Sequence, residues 1–397
     1  MYILYLLALL PVIVGLIIWI KCEKIIWQEW LIGSAVSFLT AGILHFTYAK
    51  HLTGDTETWS GKVLQVEYHP KWVETYQQAR TRSVASGRDS KGRTTYRTEI
   101  YYTTEYAAHD EHWEAKLDFG STTFSRNIEE SDFNIIKKDF GPTVDFTGRQ
   151  STKHGGTRFS GDNSFYATRN KTGVLWPVTT SKFFENRIKA APSVFSFAPP
   201  PVGVKTFQYP VNRQDFVSDR VIGQAKSYVN LRKWDEMNSR LGPKKLVNVI
   251  IIGFGNTDSM MAQYQESAWI GGKKNDLVLT FGSNNHKPTW TKVFGWTESE
   301  TCKRNLETIL LKNLGTTNDI IGMVEREITA NYKIKDWSKF DYISIEPTTK
   351  QLVWFIIILT VTQISLWIYF HQNDYIKLDF LTHKFKSVYS SYYSYRR

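Results

Sequence analysis

Three stretches of the chain are apolar and long enough to cross a membrane. They cover residues 2–20, 31–48 and 352–370, and none of them contains Asp, Glu, Lys or Arg. A helix of about 20 residues spans a hydrocarbon layer about 30 Å thick. Trp30 and Tyr48 flank the second stretch, and such aromatic side chains favour the membrane interface. The pattern predicts three transmembrane helices, two before and one after a large polar segment.

Basic residues beside the predicted spans indicate the orientation, because Lys and Arg in short flanks stay on the cytoplasmic side. Lys21 and Lys24 lie between the first two spans, and the tail at 371–397 contains three Lys and two Arg. Three spans place these two flanks on the same side of the membrane. The sequence therefore predicts a multi-pass cell-membrane protein with a large extracytoplasmic domain and a cytoplasmic tail.

The first part of the large segment, residues 53–200, alternates polar and apolar positions in a manner typical of β-strands. The stretch 80–97 contains Ser, Gly, Asp and Lys, which favour a turn, so we predict a hairpin there. Its basic side chains are candidate contacts for phosphate or carboxylate groups of a partner: Arg80, Arg82, Arg88, Lys91, Arg93 and Arg97. The alternative is a solvated loop whose charges only keep it soluble.

A different pattern covers residues 204–346, after the proline-rich segment APPPVG at 198–203. Helical spacing at 224–241 predicts a helix that ends at Gly242-Pro243. The apolar run at 246–254 is too short to span a membrane, and its Val and Ile content favours a strand buried on both faces of a parallel sheet. A helix, two strands and two further helices are predicted beyond it, which indicates an α/β layer.

The fold class expected is therefore an α+β membrane protein. Its predicted parts are two transmembrane helices within 1–50 (2–20 and 31–48), a β-rich subdomain at 53–200, an α/β subdomain at 204–346, a transmembrane helix at 352–370 and a tail at 371–397. A short helix is also predicted at 131–140, with Ser131 as its cap.

Composition narrows the class of function. An aromatic share of 15% with 22% charged residues excludes a chain that is disordered throughout. The net charge of +11 favours anionic partners. Two cysteines cannot build a disulfide scaffold or a cysteine metal site.

Short motifs for common chemistries are incomplete. His109 and His112 stand in HDEH, which lacks a third ligand at a zinc spacing. The glycines at 253–256 match neither phosphate-loop pattern, and Cys302 has no nucleophile signature around it. No motif for sequence-specific nucleic-acid binding is present.

A resemblance covers residues of about 225–335. An apolar strand and a helix precede WIGGKKNDLVLTFG at 269–282, and KVFGWTESE at 292–300 opens another helix. This region resembles the TPM domain, which occurs in membrane-tethered extracytoplasmic proteins including the thylakoid acid phosphatase group. The whole layout also resembles uncharacterised membrane proteins of tailed phages and their hosts.

The resemblance implies a phosphatase-like activity with a divalent cation, such as calcium, held by acidic side chains near the strand ends. The matching positions for ligands are Asp258, Asn275, Asp276 and Glu298, and Asp276 and Glu298 are the candidate catalytic residues. The Asp-Asn-Gly turn of the family reads Asn275-Asp276-Leu277 here. The alternative is that these residues only shape a turn and a helix start.

The function expected is that of a non-enzymatic, membrane-anchored envelope protein without a cofactor. Its extracytoplasmic domain would bind an envelope protein or an anionic surface polymer, and homo-oligomerisation is a further option. The alternative is a cation-dependent, phosphatase-like hydrolase.

Overall fold

The computed structural model of the chain describes residues 3–22, 27–141, 146–149, 159–191, 200–210, 216, 219–255, 258–284, 287–316, 319–345, 347 and 349–372. The predicted tail beyond residue 372 and the first two residues of APPPVG lie outside these ranges. The helices are α1 (Ile3–Cys22), α2 (Trp27–Thr53), α3 (Glu130–Phe140), α4 (Arg187–Ala190), α5 (Leu231–Lys245), α6 (Met260–Ala268), α7 (Glu300–Asn313), α8 (Ile320–Asn331) and α9 (Thr349–Gln372). The strands are β1 (Gly54–His69), β2 (Trp72–Arg88), β3 (Thr94–His109), β4 (His112–Asp118), β5 (Thr123–Ile128), β6 (Phe146–Arg149), β7 (Phe159–Ser160), β8 (Ser164–Arg169), β9 (Pro177–Glu185), β10 (Val221–Gly223), β11 (Asn248–Phe254), β12 (Asp276–Asn284) and β13 (Lys287–Gly295).

The chain forms two compact units. The helical unit comprises Met1–Asp55, Phe184–Ser196 and Trp337–Arg397, and the sheet unit comprises Thr56–Phe183 and Phe197–Asp336. The predicted β-rich and α/β parts therefore belong largely to one unit.

In the helical unit, two helices are long and apolar enough to cross a membrane. They are α2, over Glu29–Thr53, and α9, over Thr349–Phe370. A shorter apolar segment, Tyr5–Ile17, lies in α1. Ala8, Ala41 and Leu359 are buried together where the three helices pack.

The second helix is longer than the apolar pattern predicts. It begins at Trp27 and ends at Thr53, so that Glu29 lies in its first turn and Lys50 in its last. An acidic residue near the start and a basic residue near the end both stabilise a helix through its dipole. These polar turns extend the helix beyond its apolar centre.

The largest sheet has the strand order β5-β4-β1-β8-β6, with β9 also paired to β1. One face is covered by α3, whose Phe133 and Ile136 pack on Val63 and Leu117. The predicted cap of α3 was two residues late: the N-cap is Glu129, not Ser131, and it makes no side-chain capping bond.

Strands β2 and β3 form a long two-stranded ribbon, which we call the ribbon. Their pairing runs from Trp72 opposite His109 to Arg88 opposite Thr94. The short strand β7 pairs only with Thr75 and Tyr76 near the root. The predicted hairpin is therefore present, and it extends well beyond residues 80–97.

The third sheet has the order β10-β11-β12-β13, with parallel pairs up to β12 and an antiparallel last pair. Every residue of β11 is buried. Val249 and Ile251 face the core that includes α5, α7 and α8, whereas Ile250 and Ile252 face a second core. This confirms the predicted strand buried on both faces.

The helix predicted at 224–241 was wrong in its bounds. A 3₁₀ turn at Gln224–Ser227 comes first, and α5 starts at Leu231 after the Asn230 side chain accepts the Lys233 N–H. Gly242 does not end α5, because the helix continues through Pro243 to Lys245. A Cβ on Gly242 would lie 2.7 Å from the Ser60 carbonyl oxygen, so glycine allows α5 to lie against β1.

Candidate functional site

The ribbon places its side chains on two faces of different chemistry. Successive side chains of a strand point to opposite faces, and Arg82 pairs with Glu99 while Ala79 pairs with Tyr102. Even-numbered residues of β2 therefore share a face with odd-numbered residues of β3. We call this the charged face, and we call the opposite one the uncharged face.

The charged face contains paired arginines. Arg82 donates from Nε and Nη2 to Glu99 Oε2 at 3.1 and 3.0 Å, and its guanidinium lies over the Tyr101 ring. Arg80 Nη2 donates to Glu105 Oε1 at 2.6 Å. These ion pairs are exposed, so each stabilises the ribbon by only about 0–1 kcal/mol. They neutralise two of the six predicted contact residues.

The tip of the ribbon is positively charged. The Asp89 carboxylate accepts the backbone N–H groups of Lys91 and Arg93 at 2.9 and 2.8 Å, and so shapes the turn. Within the described ranges, Arg88, Lys91, Arg93 and Arg97 form no ion pair with a carboxylate. The end of the ribbon from Arg88 to Arg97 therefore carries four basic groups and a single acidic group, Asp89.

The uncharged face carries a row of large exposed side chains. Tyr96, Ile100, Tyr102 and Tyr106 of β3 are 68%, 62%, 53% and 72% exposed. Opposite them, β2 contributes small or uncharged polar side chains from Thr75 to Ala85. No acidic or basic residue lies on this face between the two ends, so the row forms a continuous apolar and hydroxylated stripe.

The basic residues were visible in the sequence, but the aromatic stripe was not identified there. A signal for it exists, because Tyr96, Ile100, Tyr102 and Tyr106 all occupy even positions of one strand. At about 3.3 Å per residue, the ribbon is about 50 Å long. It offers a long contact surface that ends in a concentrated positive charge.

The predicted catalytic Asp276 lies at the start of β12 and is fully buried. It accepts hydrogen bonds from the Tyr209 hydroxyl, from Asn248 Nδ2 at 2.8 Å and from the Lys273 N–H at 2.8 Å. Burial raises the pKa of the Asp276 carboxyl. The neighbouring Asn275 is also buried, and its Nδ2 donates to the Thr58 carbonyl at 2.6 Å. This arrangement fastens the beginning of β12 to its surroundings.

The structure does not bring Asp258 near Asp276. In the parallel pair β11–β12, Asn248 lies opposite Asp276 at one end and Phe254 opposite Gly282 at the other. Asp258 follows the far end of β11, about 20 Å away along the strands. There its carboxylate accepts the Met260 N–H at the start of α6.

The other acidic candidate, Glu298, lies beyond β13 at the same end of the sheet as Asp276. This follows because Gly295, the last residue of β13, pairs with Leu277. Its Oε2 forms an ion pair with Lys333 Nζ at 2.7 Å. The four predicted oxygen ligands are thus distributed over both ends of the sheet.

The two histidines of HDEH have separate surroundings. His109 Nε2 lies 2.9 Å from Glu74 Oε2, and its ring stacks on Trp72. His112 instead stacks on His69, with 4.5 Å between ring centroids. Glu114 joins these two rings in a cluster that the sequence motif did not indicate.

Cys302 is fully buried in the core of the α/β part. Burial raises the pKa of its thiol to about 12. Because the thiolate is the nucleophilic form, this cysteine serves packing at neutral pH.

In comparisons with models of protein families, with curated proteins and with solved structures, the chain has no match.

Proposed function

We propose that the protein is a membrane-anchored binding protein whose ribbon captures an anionic surface polymer outside the cytoplasm. The observation that carries this proposal is the separation of the ribbon into an uncharged aromatic stripe and a tip of unpaired basic residues. Lys and Arg side chains without an internal partner are available to phosphate or carboxylate groups of a ligand.

The dimensions of the ribbon favour an extended partner over a compact one. A two-stranded ribbon about 50 Å long presents an extended surface that can contact many repeat units of a chain. The Tyr rings of the stripe combine a flat apolar surface with a hydroxyl group, which suits both the apolar and the polar groups of such units. The polymer would lie along the stripe and meet its strongest electrostatic attraction at the tip.

Membrane anchoring is supported by the surfaces of the long helices. Large apolar side chains point away from the bundle, including Leu39 and Phe46 of α2 and Trp354 and Val361 of α9. Polar groups turn inward instead: Gln363 Nε2 donates to the Gly33 carbonyl at 3.0 Å. A bundle that is apolar outside and hydrogen-bonded inside suits lipid.

We include α1 as a third span in this proposal. Its Ala8 packs in the bundle, and its carbonyl accepts a hydrogen bond from Ser37 Oγ at 3.0 Å. With three spans, the basic flank at Lys21 and Lys24 and the basic tail lie on the cytoplasmic side. The sheet unit is then extracytoplasmic, where it can meet surface polymers.

The binding proposal is tested with full-length protein in neutral-lipid nanodiscs, with heparin as the anionic polysaccharide and dextran as the neutral one. We expect salt-sensitive binding of heparin and no binding of dextran. The double variant Arg88→Glu with Arg93→Glu should weaken heparin binding at least tenfold, since it reverses the charge of the tip. Tyr102→Ser with Tyr106→Ser should weaken it without removing the salt dependence.

The matched control is Arg304→Glu with Lys312→Glu, which changes the net charge equally on the exposed side of α7. This control should bind heparin within about twofold of the unchanged protein, because a distant charge acts weakly through salt. Equal losses in both double variants would show that net charge alone attracts heparin, and would overturn the ribbon as the binding surface.

The orientation is tested separately by protease protection in sealed vesicles of known sidedness, with a tag after Arg397. We expect the sheet unit to be cut from the outside while the tag stays protected. Cleavage of the sheet unit only from the cytoplasmic side would overturn the proposed topology.

A further inference from the structure

We propose that His69, His112 and Glu114 bind a divalent transition metal such as Zn²⁺ at the root of the ribbon. The first two residues are direct partners in the antiparallel pair β1–β4, and Glu114 lies opposite Glu67 in the same pair. The segments Glu67-Tyr68-His69 and His112-Trp113-Glu114 thus run past each other in opposite directions. Two imidazoles and two carboxylates consequently share one face of the sheet.

The spacing of the donors is close to that of a metal site. One ligand atom from each of His69, His112 and Glu114 lies within 4.8 Å of the others. Donors on a tetrahedral Zn²⁺, at about 2.0–2.1 Å from the ion, are about 3.3 Å apart. The two rings are now stacked with 5° between their planes, so binding requires them to tilt towards a common point. Such a tilt is a side-chain movement that leaves the strand pairing intact.

Hydrogen bonds already hold one nitrogen of each ring. His112 Nδ1 lies 3.2 Å from the Asp110 carbonyl oxygen, and His69 Nε2 lies 3.1 Å from Glu67 Oε2. Metal-bound histidines almost always donate their second N–H to a carbonyl or carboxylate in this way, which orients the ring. With these contacts, the N–H of His112 is on Nδ1 and that of His69 is on Nε2. Lone pairs are then left on His112 Nε2 and His69 Nδ1.

A second observation points to a missing ligand. His69 is only 7% exposed, and its Nδ1 is buried without a hydrogen-bond partner among the described residues. An unsatisfied buried polar atom destabilises a protein by about 1–3 kcal/mol. Its ring also stacks on Phe165, with 4.8 Å between centroids. A metal ion would satisfy this nitrogen.

The donor set selects the kind of ion. Imidazole nitrogens suit Zn²⁺, Co²⁺ and related ions, whereas Ca²⁺ takes six to eight oxygen ligands. Two histidines and one glutamate also leave a coordination position for water. The site therefore differs in both place and chemistry from the oxygen site predicted around Asp276.

The test uses full-length protein in detergent, purified with a tag that contains no histidine run and treated with a chelator. Titration with Co²⁺ should give one ion per chain, visible absorption bands of a four- or five-coordinate ion, and displacement by Zn²⁺. Zn²⁺ should also raise the melting temperature, because it binds only the folded state. Affinity for Zn²⁺ should fall by more than about 100-fold in His112→Gln and in Glu114→Gln, and by about 10–100-fold in Glu67→Gln.

Two control variants separate the site from general effects of charge and histidine content. Glu111→Gln removes an exposed carboxylate two residues before Trp113, and His51→Gln removes an exposed histidine at the end of α2. Both should bind Zn²⁺ like the unchanged protein. His112 and Glu114 are partly exposed, so their variants should fold, which circular dichroism checks. Binding that is absent in the unchanged protein, or that is equally strong in His112→Gln and Glu114→Gln, would overturn the proposal.

Discussion

The Tyr209 hydroxyl lies 3.0 and 2.8 Å from the two carboxylate oxygens of Asp276. Tyr209 lies in a segment without helix or strand that covers one face of the α/β sheet, together with Phe207. Its ring is held between Lys273 Nζ, 4.7 Å from the centroid, and Trp269. The carboxylate thus connects an irregular segment to the first residue of a buried strand, which is a structural role.

Tyr209→Phe should lower the free energy of unfolding by about 1–3 kcal/mol, because the buried carboxylate loses a donor. Asp276→Asn should destabilise by a similar amount, since one amide N–H₂ would face the donors of Asn248 or Lys273. Urea unfolding of the full-length protein in detergent, followed by tryptophan fluorescence, measures both. A change within about 0.3 kcal/mol for both variants would contradict this role.

The raised pKa of Asp276 predicts a pH dependence of stability. Burial favours the protonated form in the folded state, so the folded pKa lies above the ordinary value of 3.8. The stability contributed by the proton is complete below that value and is lost as the pH rises through the folded pKa. The unchanged protein should therefore lose stability relative to Asp276→Asn as the pH increases from 3.8 through the higher folded pKa. Parallel stability curves for the two proteins would show that the carboxyl titrates alike in both states.

Arg220 should be among the most sensitive polar positions of the sheet unit. It is 2% exposed, and its guanidinium donates to Asn248, to Ser60 and to Asp235, the last at 3.4 Å. Arg220→Ala leaves Asp235 buried without its cation and should destabilise by about 3–5 kcal/mol.

The matched comparison for Arg220 is Arg240, which donates to both oxygens of Glu325 at 2.7 and 2.8 Å but is exposed. Arg240→Ala should cost only about 0–1 kcal/mol. Urea unfolding of both variants measures the difference. Similar costs at the two positions would mean that burial does not decide the contribution of these arginines.

Gly242→Ala should destabilise by about 1–3 kcal/mol, although alanine is normally the better helix residue. The added Cβ would lie 2.7 Å from the Ser60 carbonyl oxygen and 2.8 Å from its Cβ, so β1 and α5 would have to separate. Thermal unfolding of the full-length protein measures this effect. An unchanged or higher melting temperature would show that the two elements can move apart freely.

The local sequence pattern was sufficient to predict elements that consist almost entirely of apolar residues. The run of β11 was recognised as a doubly buried strand because every one of its residues is buried. The apolar centres of α2 and α9 were recognised because each forms a long run of apolar residues. The prediction that α5 ends at Gly242 was wrong, although glycine next to proline usually stops a helix. Here the missing side chain lets α5 contact β1, which lies about 180 residues earlier in the chain.

The His69 cluster could not be predicted without knowing the strand register. His69 and His112 are 43 residues apart in the sequence and become neighbours only because β1 and β4 pair across the whole ribbon. Asp258 lies apart from Asp276 for a related reason: residues after β11 and before β12 lie at opposite ends when the two strands are parallel. Strand register brings His69 and His112 together, and strand direction separates Asp258 from Asp276. Composition encodes neither property.

Only two residues connect the ribbon to the sheet on each side, Pro70 and Lys71 on one strand and Asp110 and Glu111 on the other. The root of the ribbon therefore lies directly beside His69 and His112. At about 3.3 Å per residue, the tip with Arg88 and Arg93 lies about 50 Å from this root along the strands. An ion at the root and a polymer at the tip would therefore occupy opposite ends of the ribbon.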